Sequence, residues 1–181
     1  RHTVAGFVYT MPGVEVRAVM QLSHGMCEYV RRYEPMARWY AARGIALAGN
    51  DHLGHGCSVN SEEELGWFGE SGGWSFVVGD MHRLHQKLKG EYPGVPIFLF
   101  GHSMGSFLTR TYIIDHPERL KGVIISGTGQ NPAAVVAAGK LMAKLEMIDN
   151  GPMYHSPKLD KLAFGSYNKK YDHVRTKLDW L

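Results

Sequence analysis

The sequence predicts an α/β fold in which a mostly parallel sheet is flanked by helices. Short apolar segments typical of buried strands alternate with longer segments whose apolar residues recur every three or four positions. Glycine is frequent, at 22 of 181 residues, as expected where many tight turns join such elements. With 44% hydrophobic and 20% charged residues, the composition is that of an ordinary globular protein. The length corresponds to about one domain.

The alternation predicts strands at residues 4–10, 17–22, 45–48, 96–100 and 121–125, the first of them at an edge. Helices are predicted between them over residues 29–43, 77–88 and 104–116. Pro35 lies near the first turn of the first helix, and Gly44 is well placed to end it. The loop over residues 49–73 is long, and loops of this length usually carry function.

From Gln130 onward the alternation stops. Asn131 is predicted to cap a helix that has Pro132 at its first position and continues to about Met147. This helix is apolar over most of its circumference, so our interpretation is a helix packed on both sides. The alternative is a lid helix whose apolar face meets an apolar substrate. Residues 151–181 show no clear period and are predicted to be loop or cap material.

Charge and hydropathy argue against several classes of partner. The net charge is +3 without a basic block, which argues against nucleic acid. The apolar stretches are too short to span a bilayer, and no signal peptide is visible in a chain that starts at Arg1. Two cysteines make neither a disulfide framework nor a metal site. The sequence predicts a cytoplasmic protein, either free or peripheral at a membrane surface, with no cofactor and an undetermined oligomeric state.

The strongest motif is Gly101-His102-Ser103-Met104-Gly105, which matches G-x-S-x-G. In this motif a serine lies on a sharp turn between a strand and a helix, and glycines are required because the backbone approaches its neighbours closely. Ser103 follows a predicted strand and precedes a predicted helix, as the mechanism requires. A second match, at residues 69–73, places Ser71 in a loop, where we interpret it as a turn or N-cap residue.

A nucleophilic serine also needs donors for the oxyanion of the tetrahedral intermediate. One predicted donor is the backbone N–H of Met104, at the N-terminus of a helix. The loop after the strand at 17–22 supplies the second, because His24-Gly25 allows a turn that points the Met26 N–H toward Ser103.

Three motifs together resemble one family, in its order and at its spacing. They are His24-Gly25-Met26-Cys27-Glu28-Tyr29 followed by Arg32-Tyr33, then Asp51-His52-Leu53-Gly54-His55-Gly56-Cys57-Ser58, then Gly101-His102-Ser103-Met104-Gly105. The family is the monoacylglycerol lipase/lysophospholipase group of α/β-hydrolases, also described as serine aminopeptidase-like hydrolases. The resemblance covers roughly residues 4–130 and implies an ester hydrolase with an acyl-serine intermediate on Ser103. It also implies that residues 1–130 are the N-terminal part of an α/β-hydrolase core and 131–181 the start of a helical cap.

Several other residues invite functional interpretations that we decline. His52 and His55 lack the spacing of a zinc site, and we interpret them, with His24 and His102, as buried, hydrogen-bonded structural histidines. In the resembling family the Asp51–Ser58 segment shapes the loop beside the site without a catalytic role. Cys27 and Cys57 are interpreted as small packing residues. The methionines that are candidates for an acyl pocket, or equally for core filling, are Met20, Met26, Met104, Met142 and Met147.

The leading hypothesis is a serine-dependent ester hydrolase that acts on monoacylglycerol- or lysophospholipid-like substrates. An aminopeptidase of the same fold and a non-catalytic ligand-binding homologue remain as alternatives. A serine of this kind needs a histidine base and an orienting carboxylate later in the chain. The candidates at the end of the sequence are His155, His173, Asp149, Asp160, Asp172 and Asp179. Because no strand is predicted to carry them, we expect the 181 residues to be part of a longer enzyme, with one sheet edge uncovered and Ser103 unreactive in the segment alone.

Overall fold

The computed structural model describes residues 3–117 and 120–165 and divides the chain into two units, Arg1–Thr128 and Gly129–Leu181. In the first unit five strands form one sheet: β1 (Gly6–Tyr9), β2 (Ala18–Ser23), β3 (Ile45–Asn50), β4 (Ile97–His102) and β5 (Gly122–Ser126). Their spatial order is β1-β3-β2-β4-β5. β1 pairs with β3 in antiparallel fashion, and all other pairs are parallel.

The helices of the first unit are α1 (Glu34–Ala41), α2 (Gly73–Glu91) and α3 (Met104–Asp115). A 3₁₀ turn over Val30–Tyr33 leads into α1, and two more, Gly56–Ser58 and Glu62–Glu64, lie in the long loop before α2. The second unit contains α4 (Ala133–Asn150) and α5 (Pro157–Phe164). In the part of the chain that is described, no helix is both long enough and apolar enough to cross a bilayer.

The central strands β2 and β3 are buried on both faces of the sheet, which is why they are apolar on both sides. Alternate residues of β2 point to opposite faces: Met20 and Leu22 pack with residues of α1, whereas Val19 packs with Leu88 of α2. The register of β2 against β4 places Ser23 opposite Gly101, so both strands end at the same edge of the sheet. Loops that follow neighbouring parallel strands meet at such an edge.

The predicted α/β architecture is confirmed, including β1 as an edge strand. Pro35 lies in the first turn of α1, and Gly44 follows that helix with φ of 75°, a backbone region that glycine enters without strain. The predicted start of this helix is wrong, because residues before Glu34 form a tighter 3₁₀ turn.

Two predictions for the second unit are wrong. Pro132, rather than Asn131, is the N-cap of α4, and no side chain caps that helix. No residue of α4 is buried, so the interpretation as a helix packed on both sides does not hold for the described residues. Exposed apolar side chains include Leu141 at 60% and Ile148 at 69% exposure. Residues 151–181, predicted to be loop or cap material, include the helix α5, which the sequence did not indicate because its eight residues show no clear apolar period. The assignment of residues 131–181 to a cap stays a prediction.

Candidate active site

Ser103 lies at the junction of β4 and α3 in a backbone conformation that L-residues rarely adopt. Its φ is 51° and its ψ is −119°. Its N–H donates to the carbonyl of Ser126 at the end of β5, at 2.9 Å, and its carbonyl accepts from the backbone N–H and hydroxyl of Ser106. A conformation of this kind costs roughly 1–3 kcal/mol and persists only when its surroundings hold it. The sharp turn that the motif predicts is therefore present.

The two flanking glycines leave no room for a side chain. A Cβ on Gly101 would overlap the hydroxyl of Thr109 and the backbone of the first turn of α3. A Cβ on Gly105 would overlap the backbone carbonyl oxygens of Ser23 and His24. The first turn of α3 thus packs directly on the backbone at the end of β2, which brings the loop after β2 to the side of Ser103.

In that loop, Gly25 lies beside Ser103. A Cβ built on Gly25 would lie 3.1 Å from the Cβ of Ser103. Among the described residues, the N–H of Met26 has no protein acceptor. The N–H of Met104 belongs to the first turn of α3, where backbone donors have no partner within the helix. Within the described residues the site therefore combines a hydroxyl with two backbone donors, one in the loop after β2 and one in the first turn of α3, a combination suited to acyl transfer.

Glu28 holds the loop after β2 through its side chain, a role that the sequence pattern did not indicate. Its carboxylate is buried and accepts hydrogen bonds from the N–H of Gly25 and from the hydroxyl of Tyr33, the latter at 2.7 Å. The Nε of Arg32 lies 3.6 Å from the other carboxylate oxygen. Burial and the nearby Glu28 raise the pKa of Tyr33, so its hydroxyl stays protonated and donates. The only sequence signal was a glutamate three residues after Gly25 and one turn before Arg32.

Three histidines pack together next to the loop after β2. His24, His52 and His55 are all at most 5% exposed, and the ring centroids of the first two are 4.0 Å apart. Burial lowers the pKa of His24 to about 3 and also lowers the pKa values of His52 and His55, so the rings are neutral near pH 7. The interpretation of these three as buried, hydrogen-bonded histidines is confirmed.

His102 differs from that cluster. It is half-buried rather than buried, with Nδ1 3.3 Å from the hydroxyl of Ser126, so the prediction of burial is wrong for this residue. It lies on the same face of β4 as Phe98 and Phe100, and these two residues are half-buried as well, whereas the residues on the opposite face are buried.

The Asp51–Ser58 segment has a structural role. One oxygen of the Asp51 carboxylate accepts from the N–H of Val30, and the other accepts from the N–H of Cys57, both at 2.8 Å. The hydroxyl of Ser58 donates to the carbonyl of Asp51. Gly56 has no space for a side chain beside the Asp51 carboxylate. These bonds tie the long loop to the 3₁₀ turn that follows the Gly25 loop.

Other candidates from the sequence fall elsewhere. Ser71 is exposed and lies in a bend before Gly72, which is the N-cap of α2, so Ser71 is a turn residue and its interpretation as an N-cap is wrong. Cys27 and Cys57 are exposed, which contradicts their interpretation as packing residues. Cys27 has φ of 58°, so it occupies a tight turn. Of the methionines considered for an acyl pocket, Met20 and Met104 are buried, whereas the exposed ones are Met26, Met142 and Met147.

The candidate base and acids all belong to the second unit of the chain. His155, Asp149 and Asp160 are exposed residues of the second unit. His173, with Asp172 and Asp179, lies outside the described residues. Among described groups that bind metals, no cluster of three or more histidine, cysteine or carboxylate side chains has a suitable arrangement.

Comparison with curated proteins identifies several relatives of this chain. The chain is 31% identical over 166 residues to a monoglyceride lipase homolog of Monkeypox virus, covering 92% of this chain and 56% of the relative. It is 29% identical over 117 residues to monoglyceride lipase of Homo sapiens, covering 65% of this chain and 37% of the relative. The chain thus spans about half the length, or less, of these relatives.

Solved structures agree on the fold. A thermostable carboxyl esterase from Bacillus coagulans matches 97% of this chain and 56% of its own, with 27% identity and a TM-score of 0.78. A monoglyceride lipase variant from Saccharomyces cerevisiae matches 83% of this chain and 50% of its own with a TM-score of 0.64, and at 20% identity it supports the fold alone. The family described as serine aminopeptidase, S33, matches residues 14–159. The chain therefore has an α/β-hydrolase fold and belongs to the serine aminopeptidase S33 family.

Proposed function

We propose that this protein is a serine-dependent hydrolase that cleaves carboxylic esters of monoacylglycerol- or lysophospholipid-like lipids. The observation that carries the proposal is the strained conformation of Ser103 between β4 and α3, with Gly25 packed against it. The names of the relatives support the substrate class, since they include monoglyceride lipases and a probable lysophospholipase.

In the proposed reaction the hydroxyl oxygen of Ser103 attacks the acyl carbon of the ester. Negative charge develops on the carbonyl oxygen, where the N–H groups of Met26 and Met104 donate hydrogen bonds. Collapse of this tetrahedral intermediate breaks the bond to the alcohol, which leaves with a proton, and the acyl group remains on Ser103. Attack by water then releases the fatty acid and restores the serine. Each half-reaction requires a general base that takes a proton from the attacking oxygen and returns it to the leaving oxygen.

The test compares Ser103→Ala with Ser71→Ala in the full-length protein, because both serines lie in a G-x-S-x-G sequence. We expect Ser103→Ala to abolish hydrolysis of a short p-nitrophenyl ester and labelling by a fluorophosphonate, while Ser71→Ala retains both. Full activity of Ser103→Ala refutes the proposal. Tight ligand binding without hydrolysis by the unsubstituted protein supports instead the non-catalytic alternative.

The aminopeptidase alternative requires a carboxylate that is free to hold the amino group of the substrate. The carboxylate of Glu28 lies in the loop beside Ser103, but it already accepts from Gly25 and Tyr33 and pairs with Arg32. This pairing favours the ester hydrolase. Parallel assays with a monoacylglycerol and with amino-acid p-nitroanilides separate the two activities, and preferential cleavage of the anilides overturns our choice.

A further inference from the structure

His24 is held between two backbone groups, and these contacts define which ring nitrogen carries the proton. The N–H of His52 donates to Nε2 of His24 at 2.9 Å. Because a backbone N–H can only donate, Nε2 must present a lone pair, and the proton of the neutral ring lies on Nδ1. Nδ1 is 2.8 Å from the carbonyl oxygen of Gly25, to which it therefore donates.

That carbonyl belongs to the same peptide unit as the N–H of Met26. In a planar trans peptide the C=O and N–H point in opposite directions, so whatever holds one of them also orients the other. The ring of His24 lies on the carbonyl side, and the N–H of Met26 consequently points away from it. No protein acceptor receives that N–H among the described residues.

Gly25 needs such restraint because it lacks a Cβ and its backbone torsions are the least restricted of any residue. The peptide on its N-terminal side is held as well, since its N–H donates to the buried carboxylate of Glu28. Tyr33 and Arg32 in turn hold that carboxylate. The two peptide units around Gly25 are thus fastened separately, one by Glu28 and the other by His24.

We propose that His24 is a positioning residue for the reaction, in which its Nδ1–H holds the Gly25 carbonyl and thereby keeps the Met26 N–H aimed at the developing oxyanion. This inference rests on the proposed function, because it assumes that Met26 donates to the substrate. His24 does not touch the substrate and acts only through the peptide between Gly25 and Met26.

The matched variants His24→Asn and His24→Leu test the inference in the full-length protein. Their side chains have similar shape, and both lose the acceptor for the N–H of His52. Only asparagine offers an N–H near the position of Nδ1. We expect His24→Leu to lower kcat by about 10- to 100-fold with little change in KM, somewhat less than the loss of a complete oxyanion donor. His24→Asn is expected to remain within a few-fold of the unsubstituted protein.

Equal losses of kcat in the two variants, or a loss that appears in KM alone, overturn the inference. A measurement on the unsubstituted protein does not depend on how the variants fold: long-range ¹H–¹⁵N NMR correlations of the histidine rings. We expect His24 to carry its proton on Nδ1, and a proton on Nε2 overturns the inference directly. If Ser103→Ala retains activity, the proposed function itself fails. If Ser103→Ala is inactive and the two His24 variants match the unsubstituted protein, only the positioning role fails.

Discussion

Acid should destabilise this fold well above the pH at which carboxylates titrate, because His24 is buried in its neutral form. Its pKa falls from 6.5 to about 3 on folding, mainly through burial. Between these values the unfolded chain binds a proton that the folded chain does not, so the free energy of unfolding decreases as the pH falls. The stability that neutral His24 contributes is fully present above about pH 6.5 and is lost progressively as the pH falls toward about 3.

The magnitude follows from about 1.36 kcal/mol for each pH unit between the two pKa values. The titration of His24 therefore lowers the free energy of unfolding by about 2 kcal/mol at pH 5 relative to pH 8. The lowered pKa values of His52 and His55 add losses of the same sign. For a domain of ordinary stability, about 5–15 kcal/mol, this is a substantial fraction of the total.

The assay is guanidinium unfolding followed by tryptophan fluorescence at pH 8, 6 and 5, for which the chain provides four tryptophans. The control is His24→Asn, which lacks the titrating ring. Near pH 5 its free energy of unfolding should change less steeply with pH than that of the unsubstituted protein, by about 1.3 kcal/mol per pH unit. A free energy of unfolding that changes by less than about 0.5 kcal/mol between pH 8 and pH 5 contradicts the reasoning, as does an unaltered slope in His24→Asn.

Three further predictions concern the frame of the site. Gly105→Ala should cost about 3 kcal/mol or more, because its Cβ would overlap carbonyl oxygens at the end of β2. Gly90→Ala, in open space near the end of α2, should instead stabilise by about 0.5–1 kcal/mol, and equal melting temperatures for the two variants contradict this. Ser103→Gly should be more stable than Ser103→Ala by about 1 kcal/mol, since only glycine adopts the positive φ of this position without strain. A higher melting temperature for Ser103→Ala contradicts the presence of such strain. Asp51→Asn should lower the free energy of unfolding by about 2 kcal/mol, because an amide has one accepting oxygen where the carboxylate serves two N–H groups; an unchanged denaturation midpoint argues against it.

Much of the first unit could be predicted because its signals are local. A run of apolar residues before Ser103 and helical spacing after it define a strand and a helix, and the glycines at 101 and 105 identify the sharp turn between them. The features that could not be predicted depend on contacts between residues, which the pattern of residue types along the chain does not contain. The role of Glu28 requires the chain to bend so that its carboxylate meets the N–H of Gly25.

The exposed α4 illustrates a second limit. Apolar residues around a helix indicate that burial is favourable, but they do not say whether a partner is present, so the pattern of residues 133–147 is the same for a packed and an exposed helix. The cysteines illustrate a third. A small apolar side chain is usually buried, but Cys27 occupies a turn with positive φ, and the backbone decides its exposure.

The central position of β2 has a consequence for how the protein reaches this structure. Val19 pairs on one side with Ala46, 27 residues away, and on the other with Ile97, 78 residues away. Closing the longer loop costs about 0.9 kcal/mol more in chain entropy than closing the shorter one. The pairing of β2 with β3 is therefore the easier early step, and the pairing with β4, which brings Gly25 beside Ser103, the slower one. During refolding of the full-length protein, reactivity at Ser103 should return later than helical circular dichroism, because Gly25 and Ser103 come together only when this long-range pairing forms.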